Sequence, residues 1–186
     1  MSEYGEVIGP FAVKFERLLP GPIERVWRYL TESELRGTWF ASGPMEPKVG
    51  GALKFYHQHQ QLTDYTEQVP EKYKAMEKGP IESTGTVTVW QPPRRLAFIW
   101  DPLQEVTIDL TEKGKNVLLR LTHAKLASRE DVVDVCGGWH AHLGVLSERL
   151  EDKKPGPFWP RIERLERDYE ARIPRDVSKD VPKGAR

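Results

Sequence analysis

Apolar and polar residues begin to alternate near residue 11. Phe11, Val13 and Phe15 interleave with Ala12, Lys14 and Glu16, the two-residue period of a strand that buries one face. Leu19-Pro20-Gly21-Pro22 ends it as a turn, and Pro22 suits the first turn of a helix in which Ile23, Val26, Trp27 and Leu30 recur at helical spacing. Thr31 and Glu34 have the spacing of a capping box and predict a second short helix leading into Leu35, Trp39 and Phe40. After the turn Lys48-Val49-Gly50-Gly51 the period returns to two, and Ala52 to His59 reads as a strand with Leu53, Phe55, His57 and His59 on one face. Four further strands are expected over 84–90, 96–100, 105–110 and 116–122, and the short links between them predict an antiparallel meander. Val106, Ile108 and Leu110 face one way while Glu105, Thr107 and Asp109 face the other, so one side of the sheet is buried and the other wet.

Ser128-Arg129-Glu130-Asp131 reads as a helix start, a serine cap followed by acids in the first turn. Beyond it Val132, Cys136, Trp139, Leu143, Leu146 and Leu150 form one apolar seam over roughly six turns. Such a helix needs a large apolar surface, and the sheet is the one the chain offers. Gly137 and Gly138 within it cost about 1 kcal/mol each relative to alanine, which predicts that a neighbour or a ligand comes close to the helix backbone.

Two segments lie outside this frame. Residues 60–80 are polar and make a long excursion between two strands, as a helical turn or a mobile lid. After the linker Lys153-Lys154-Pro155-Gly156-Pro157, Pro160 opens a helix with Ile162, Leu165, Tyr169 and Ile173 on one face, stopped by Pro174. Glu163–Arg167, Arg164–Asp168 and Asp168–Arg172 are i,i+4 pairs on its other faces. The last dozen or so residues read as disordered. The expected organisation is an α+β domain over 1–152 and, over 153–186, a linker, a short amphipathic helix and a disordered end.

The 28 Lys and Arg balance the 28 Asp and Glu of this 186-residue chain, which excludes a dedicated nucleic-acid surface. The balance hides an asymmetry: residues 153–186 carry ten basic and six acidic side chains, a balance of +4, which leaves 18 and 22, a balance of −4, for residues 1–152. The tail therefore has reason to lie against its own domain or another copy, and its apolar stripe is open to the same two uses, the second a homodimer through the C-terminal helix. Cys136 is the only cysteine, so no intrachain disulfide forms, and its place on the seam makes it buried and inert. The opening residues have neither the basic start nor the apolar stretch of a signal peptide, no apolar run is long enough for a membrane span, and Asn116 lies in no glycosylation sequon. A cytoplasmic protein without a membrane partner is expected.

Nucleotide-binding and hydrolase signatures are missing: there is no G-x-G-x-x-G, no Walker loop and no G-x-S-x-G. His57 and His59 have no recognisable third ligand beside them, and His140 and His142 point in different directions on a helix, so no metal or cofactor is expected. His123 continues the phase of Val117, Leu119 and Leu121 and points inward at a strand end, where a hydrogen bond to backbone is the ordinary role of a buried imidazole. Asp101 reads as a turn residue and Arg95 as a surface one. Trp27, Trp39, Phe40, Phe55, Phe98, Trp100 and Trp139 exceed what a compact core of this size needs; they either fill the space between sheet and helix or line a cavity.

The order strand, two short helices, antiparallel strands and long helix resembles the helix-grip fold of the START-like (SRPBCC) superfamily. Within it the chain is similar to the family related to the C-terminal domain of the heat shock protein 90 ATPase activator. The residues that carry the resemblance are Pro22-Ile23-Glu24-Arg25-Val26-Trp27, Trp39-Phe40, Val49-Gly50-Gly51, the run from Pro92 to Trp100, Leu121-Thr122-His123 and Gly138-Trp139, spread over about residues 10 to 152. The resemblance implies a curved antiparallel sheet wrapped around the long C-terminal helix, with a mostly apolar cavity between them that in many relatives holds a hydrophobic small molecule. Relatives that cyclise polyketides imply that the fold also permits acid/base chemistry. The chain shows no counterpart of the separate N-terminal domain with which activators engage the chaperone, so ATPase activation is not expected.

The expected function is non-enzymatic binding of a hydrophobic or aromatic small molecule between sheet and long helix. Trp39, Phe40, Phe55, Phe98, Trp100, Trp139 and Leu143 would form the wall, and His57 and His123 would supply orienting hydrogen bonds. Two alternatives stand beside it: a co-chaperone or adaptor that docks through its surface, and a cyclase-like enzyme with an ionisable pair across the cavity.

Overall fold

A computed structural model describes residues 3–9, 11–100 and 103–175. Among these residues seven strands build one antiparallel sheet in the order β1-β2-β7-β6-β5-β4-β3. The strands are β1 (Glu6–Val7), β2 (Val13–Pro20), β3 (Ala52–His57), β4 (Ile81–Gln91), β5 (Arg95–Trp100), β6 (Gln104–Lys113) and β7 (Asn116–Ala124). After β2 the chain crosses to the far edge through helices α1 (Ile23–Thr31) and α2 (Ser33–Gly37), then meanders back from β3 to β7, which closes against β2 with Val13 opposite His123 and Leu19 opposite Val117. Helix α3 (Arg129–Leu150) lies across the buried face, and α4 (Trp159–Arg172) packs on α3.

The period-two pattern explains the sheet. Val13, Phe15 and Leu19 of β2, Val106, Ile108 and Leu110 of β6, and Val117, Leu119 and Leu121 of β7 are all buried, and the seam of α3 from Val132 to Leu150 covers them. The Ser128 hydroxyl caps α3 by accepting from the Asp131 backbone N–H at 3.1 Å. This is the helix-grip α+β architecture. No described helix is long and apolar enough to cross a membrane.

The short strand β1 at the sheet edge carries too few residues to show a period. The capping box does not form: Thr31 closes α1, its hydroxyl donating to the Trp27 carbonyl at 2.9 Å, and Glu32 stands at the N-cap of α2 without a side-chain cap bond. Threonine in a last helical turn finds its acceptor four residues back, which removes it from the cap. Strand β3 ends at His57 rather than His59, and His59 instead opens a 3₁₀ turn (His59–Gln61) that still buries its ring.

The excursion takes shape as that turn and a second 3₁₀ stretch, Glu71–Lys78. The apolar stripe of the tail helix, Ile162, Leu165, Tyr169 and Ile173, is buried within the chain, so the surface that would have paired with a second copy is already covered. Its charges reach outward from the helix to neighbouring elements with both polarities, Arg161 of the tail to Glu148 at 2.6 Å and Glu170 of the tail to Arg129 at 2.8 Å, so individual pairs rather than the net charge of the two segments connect the helix to the domain. Asp101 and the residues expected to be disordered beyond 175 lie outside the described residues.

Candidate functional site

At one end of the sheet three strands finish in rings. His57 of β3, Trp100 of β5 and His123 of β7 lie in near-parallel stacks, with centroids 5.7 Å apart at 11° for the first pair and 5.8 Å at 15° for the second. Across from them, α3 presents Trp139, and Phe40 from the loop after α2 stacks on it at 5.0 Å and 21°. A cavity of about 320 Å³ opens between these walls, at the small end of the roughly 300–1,000 Å³ of ligand sites. Tyr73 and Met76 from the second 3₁₀ stretch, which covers this side of the cavity and is a lid by its position alone, and Ile162 of α4 are also in the lining.

Phe40 is placed by an unusual support. Arg36, only 2% exposed, donates from Nε to the Ala41 carbonyl at 3.0 Å, from Nη1 to the Thr31 carbonyl at 2.9 Å and from Nη2 to the Gly43 carbonyl, and so ties the far end of the loop that carries Trp39 and Phe40 to the end of α1. Its guanidinium lies over the Phe55 ring at 5.3 Å, and burial pulls its pKa down to about 10.

Four imidazoles meet the cavity, and their partners define them. His123 accepts at Nδ1 from the Trp139 indole N–H at 3.0 Å and donates from Nε2 to Gln104 Oε1 at 2.9 Å. His57 Nε2 is 3.0 Å from the Ser83 hydroxyl, which also accepts from the Trp100 indole at 3.0 Å. His142 Nδ1 donates to the Trp39 carbonyl at 2.7 Å, and its Nε2 lies 3.1 Å from Nε2 of His59. Burial makes a charged ring costly and lowers all four pKa values, to about 4 for His57 and His123, about 3 for His142 and about 2 for His59. All four are neutral at neutral pH. No group of three His, Cys, Asp or Glu among the described residues is arranged to hold a metal.

The lid is tied down at its outer edge. Lys72 Nζ lies 2.6 Å from Asp134 of α3 and 2.9 Å from Glu166 of α4, and the Tyr73 hydroxyl donates to the same Glu166 carboxylate. Burial together with that carboxylate raises the Tyr73 pKa above its ordinary value, so it stays a hydrogen-bond donor.

Residues 20–151, which supply most of this wall, match the family described as Activator of Hsp90 ATPase homolog 1-like protein. The chain belongs to this family. It thereby falls within the START-like superfamily. Among solved structures, a Bordetella parapertussis protein encoded by gene BPP1335 is 39% identical with a TM-score of 0.76, over 91% of this chain and 90% of that one. CalU16 from Micromonospora echinospora shares the fold at 22% identity and a TM-score of 0.62, over 86% of each chain. DynU16, described as a protein in the dynemicin biosynthetic locus, shares it at 19% and 0.61, this chain covering 48% of its length. No curated protein matches the chain.

In this Hsp90-activator-like chain five of the nine residues expected at the site, Phe40, His57, Trp100, His123 and Trp139, line the cavity. Trp39, Phe55, Phe98 and Leu143 lie behind it in the packed core, each no more than 2% exposed. The cavity opens along Asp134, Val135, Gly138, Trp139 and His142, a stripe that meets the seam only at Trp139, and the next seam residue, Leu143, is fully buried away from it. His123 bonds to side chains rather than to backbone, and both its ring nitrogens are used. His59 and His142 line the cavity beside His57 and His123 and were not among the residues expected there. His140 does diverge from His142, meeting the Tyr169 hydroxyl at 3.0 Å on the other side of α3. The glycine pair was the available signal for this stripe: nothing lies within 4 Å of a Cβ built on Gly138, whereas one on Gly137 meets Glu166 Cγ at 2.8 Å.

Proposed function

We propose that this chain is a non-enzymatic binding protein for a small hydrophobic or aromatic molecule held between sheet, α3 and lid. The observation that carries the reading is the cavity of about 320 Å³ walled by Phe40, Trp100 and Trp139, with Gly138 keeping the helix side open. Membership of a START-like family supports it by analogy of fold. The cyclase-like alternative draws on the facing His59–His142 pair. Rings held at pKa values of about 2 and 3 hold almost no proton at neutral pH and are too weakly basic to remove one effectively, which weighs against acid/base work. The adaptor alternative would have to use the charged outer face of α4, since its apolar stripe is buried within the chain.

The test uses 1-methoxynaphthalene as a neutral probe. Binding is expected to raise the melting temperature and quench the fluorescence of Trp100 and Trp139, and Gly138→Leu, which fills the cavity from the helix side, is expected to abolish both responses while the far-ultraviolet spectrum is kept. Absence of a thermal shift across a panel of such neutral aromatics would sink the reading.

A further inference from the structure

Which ring nitrogen of the histidine pair is open to a ligand follows from the stronger of the two partners at its ends that can only accept. The Trp39 carbonyl only accepts, so His142, 2.7 Å away, carries its proton on Nδ1 and offers a lone pair at Nε2. His59 Nε2, at 3.1 Å, must then be the donor of that pair, which leaves His59 Nδ1 without a proton. Its neighbour there is Met76 Sδ at 2.8 Å, a thioether with no hydrogen to give. The reverse tautomers would set a bare His142 Nδ1 against the carbonyl oxygen, and a proton on His59 Nδ1 would leave two bare Nε2 atoms facing each other; a lone pair against the thioether, a much weaker acceptor on a flexible side chain, is the least costly mismatch of the three. His123 has no equivalent opening, both nitrogens being paired, and His57 faces a hydroxyl that can give or take. The relay from the Trp39 carbonyl through two imidazoles thus ends in one buried acceptor with no donor, at the underside of the lid.

We propose that His59 Nδ1 is the recognition group of the cavity and selects neutral ligands that bring a hydrogen-bond donor, a phenolic hydroxyl or a ring N–H, which displaces the Met76 sulfur. The inference rests on the cavity being a ligand site and adds the chemistry of its occupant. A donor from the ligand would satisfy a group whose burial otherwise carries a desolvation penalty. Met76, unbranched and half-buried on the lid, has the freedom to give way. An anionic ligand would meet a lone pair on a ring whose one proton is already committed to His142, so the phenol is selected over the phenolate.

The experiment compares 1-naphthol with 1-methoxynaphthalene, equal in ring system but only one a donor, by calorimetry on the full chain. The wild type is expected to bind the naphthol about tenfold more tightly, the yield of one net hydrogen bond. His59→Phe is expected to bring that ratio close to one. Because this substitution also deprives His142 of its donor and risks the fold, the nitrogen-15 spectrum of the wild-type histidines at pH 7 gives an independent reading. His59 should show a proton on Nε2 and a bare Nδ1 whose resonance moves when 1-naphthol is added. Equal affinity for the two probes, or a proton on His59 Nδ1 in the free protein, overturns the inference and leaves the cavity reading standing. No binding of either probe overturns both.

Discussion

Four neutral imidazoles in one wall make stability answer to pH. In the unfolded chain each titrates near 6.5, whereas in the fold burial depresses His57 and His123 to about 4 and His142 and His59 further. As pH falls below 6.5 the unfolded state binds the extra protons, so stability is fully present above that value and is lost on the way down to the folded pKa values. Each histidine contributes at most about 1.4 kcal/mol per pH unit, and four together approach a typical total stability of roughly 5–15 kcal/mol within two units. Unfolding between pH 6 and 4 is therefore expected. Urea midpoints measured from pH 7.5 downward should drop steeply below 6.5; a midpoint that stays level from pH 7 to 5 contradicts the assignment of all four as buried and neutral.

At the scale of the element, adjacent glycines of α3 do opposite work. Gly137→Ala brings a methyl within 2.8 Å of Glu166 Cγ, and that side chain cannot swing aside because Lys72 and Tyr73 hold its carboxylate. The clash is expected to exceed the helix-propensity gain and destabilise by about 1–3 kcal/mol. Gly138→Ala meets nothing within 4 Å and is expected to stabilise by about 1 kcal/mol while weakening ligand binding, since the methyl enters the cavity. Chemical denaturation of the two variants gives the signs directly, and a common sign would mean that α4 does not press on α3 as described. These glycines also mark how far a sequence can be read. Strands β2 to β7 and the seam of α3 were legible because one-sided burial writes a period of 2 or 3.6 into the chain. His57, Trp100, His123 and Trp139 were legible as inward-facing rings for the same reason, whereas Phe40, in the loop after α2, was legible only as a large apolar ring. Periodicity says which way a residue faces but not where packing leaves a gap, so Leu143 and Phe98 were indistinguishable from cavity residues. The His59–His142 pair joins positions 83 apart, and Tyr73 and Met76 sit in a segment with no period at all. Arg36 buried beneath three carbonyls has no local signature either.

Over the whole molecule, the excursion and the tail fold as each other's support and together roof the cavity. The Glu67 carboxylate accepts from the backbone N–H groups of Phe158 and Trp159 at 2.8 Å each, so a residue of the excursion caps α4, a favourable place for a negative charge. In return Glu166 of α4 holds Lys72 and Tyr73 of the lid, Phe158 stacks on His59 at 5.0 Å and 18°, and the Trp159 ring lies 5.2 Å from that of Tyr73. Support in both directions predicts coupling in both directions. Glu67→Ala, which does not touch Lys72 or Tyr73, should loosen the lid as well as α4, and Glu166→Ala, midway along α4, should loosen the start of α4 as well as the lid. Each loss is expected to amount to about 1–2 kcal/mol, or 5- to 30-fold faster amide exchange, in residues 59–78 and 158–172 alike. The meander β4 to β7 should exchange at its wild-type rate, because its ladder hydrogen bonds do not involve either carboxylate. Exchange that quickens only in the segment bearing the substitution would show two independent flaps, and ligand entry would then be governed by the lid alone. Exchange that quickens in both makes the tail a second hinge of the entrance, so that either variant should speed release of 1-methoxynaphthalene by a similar factor.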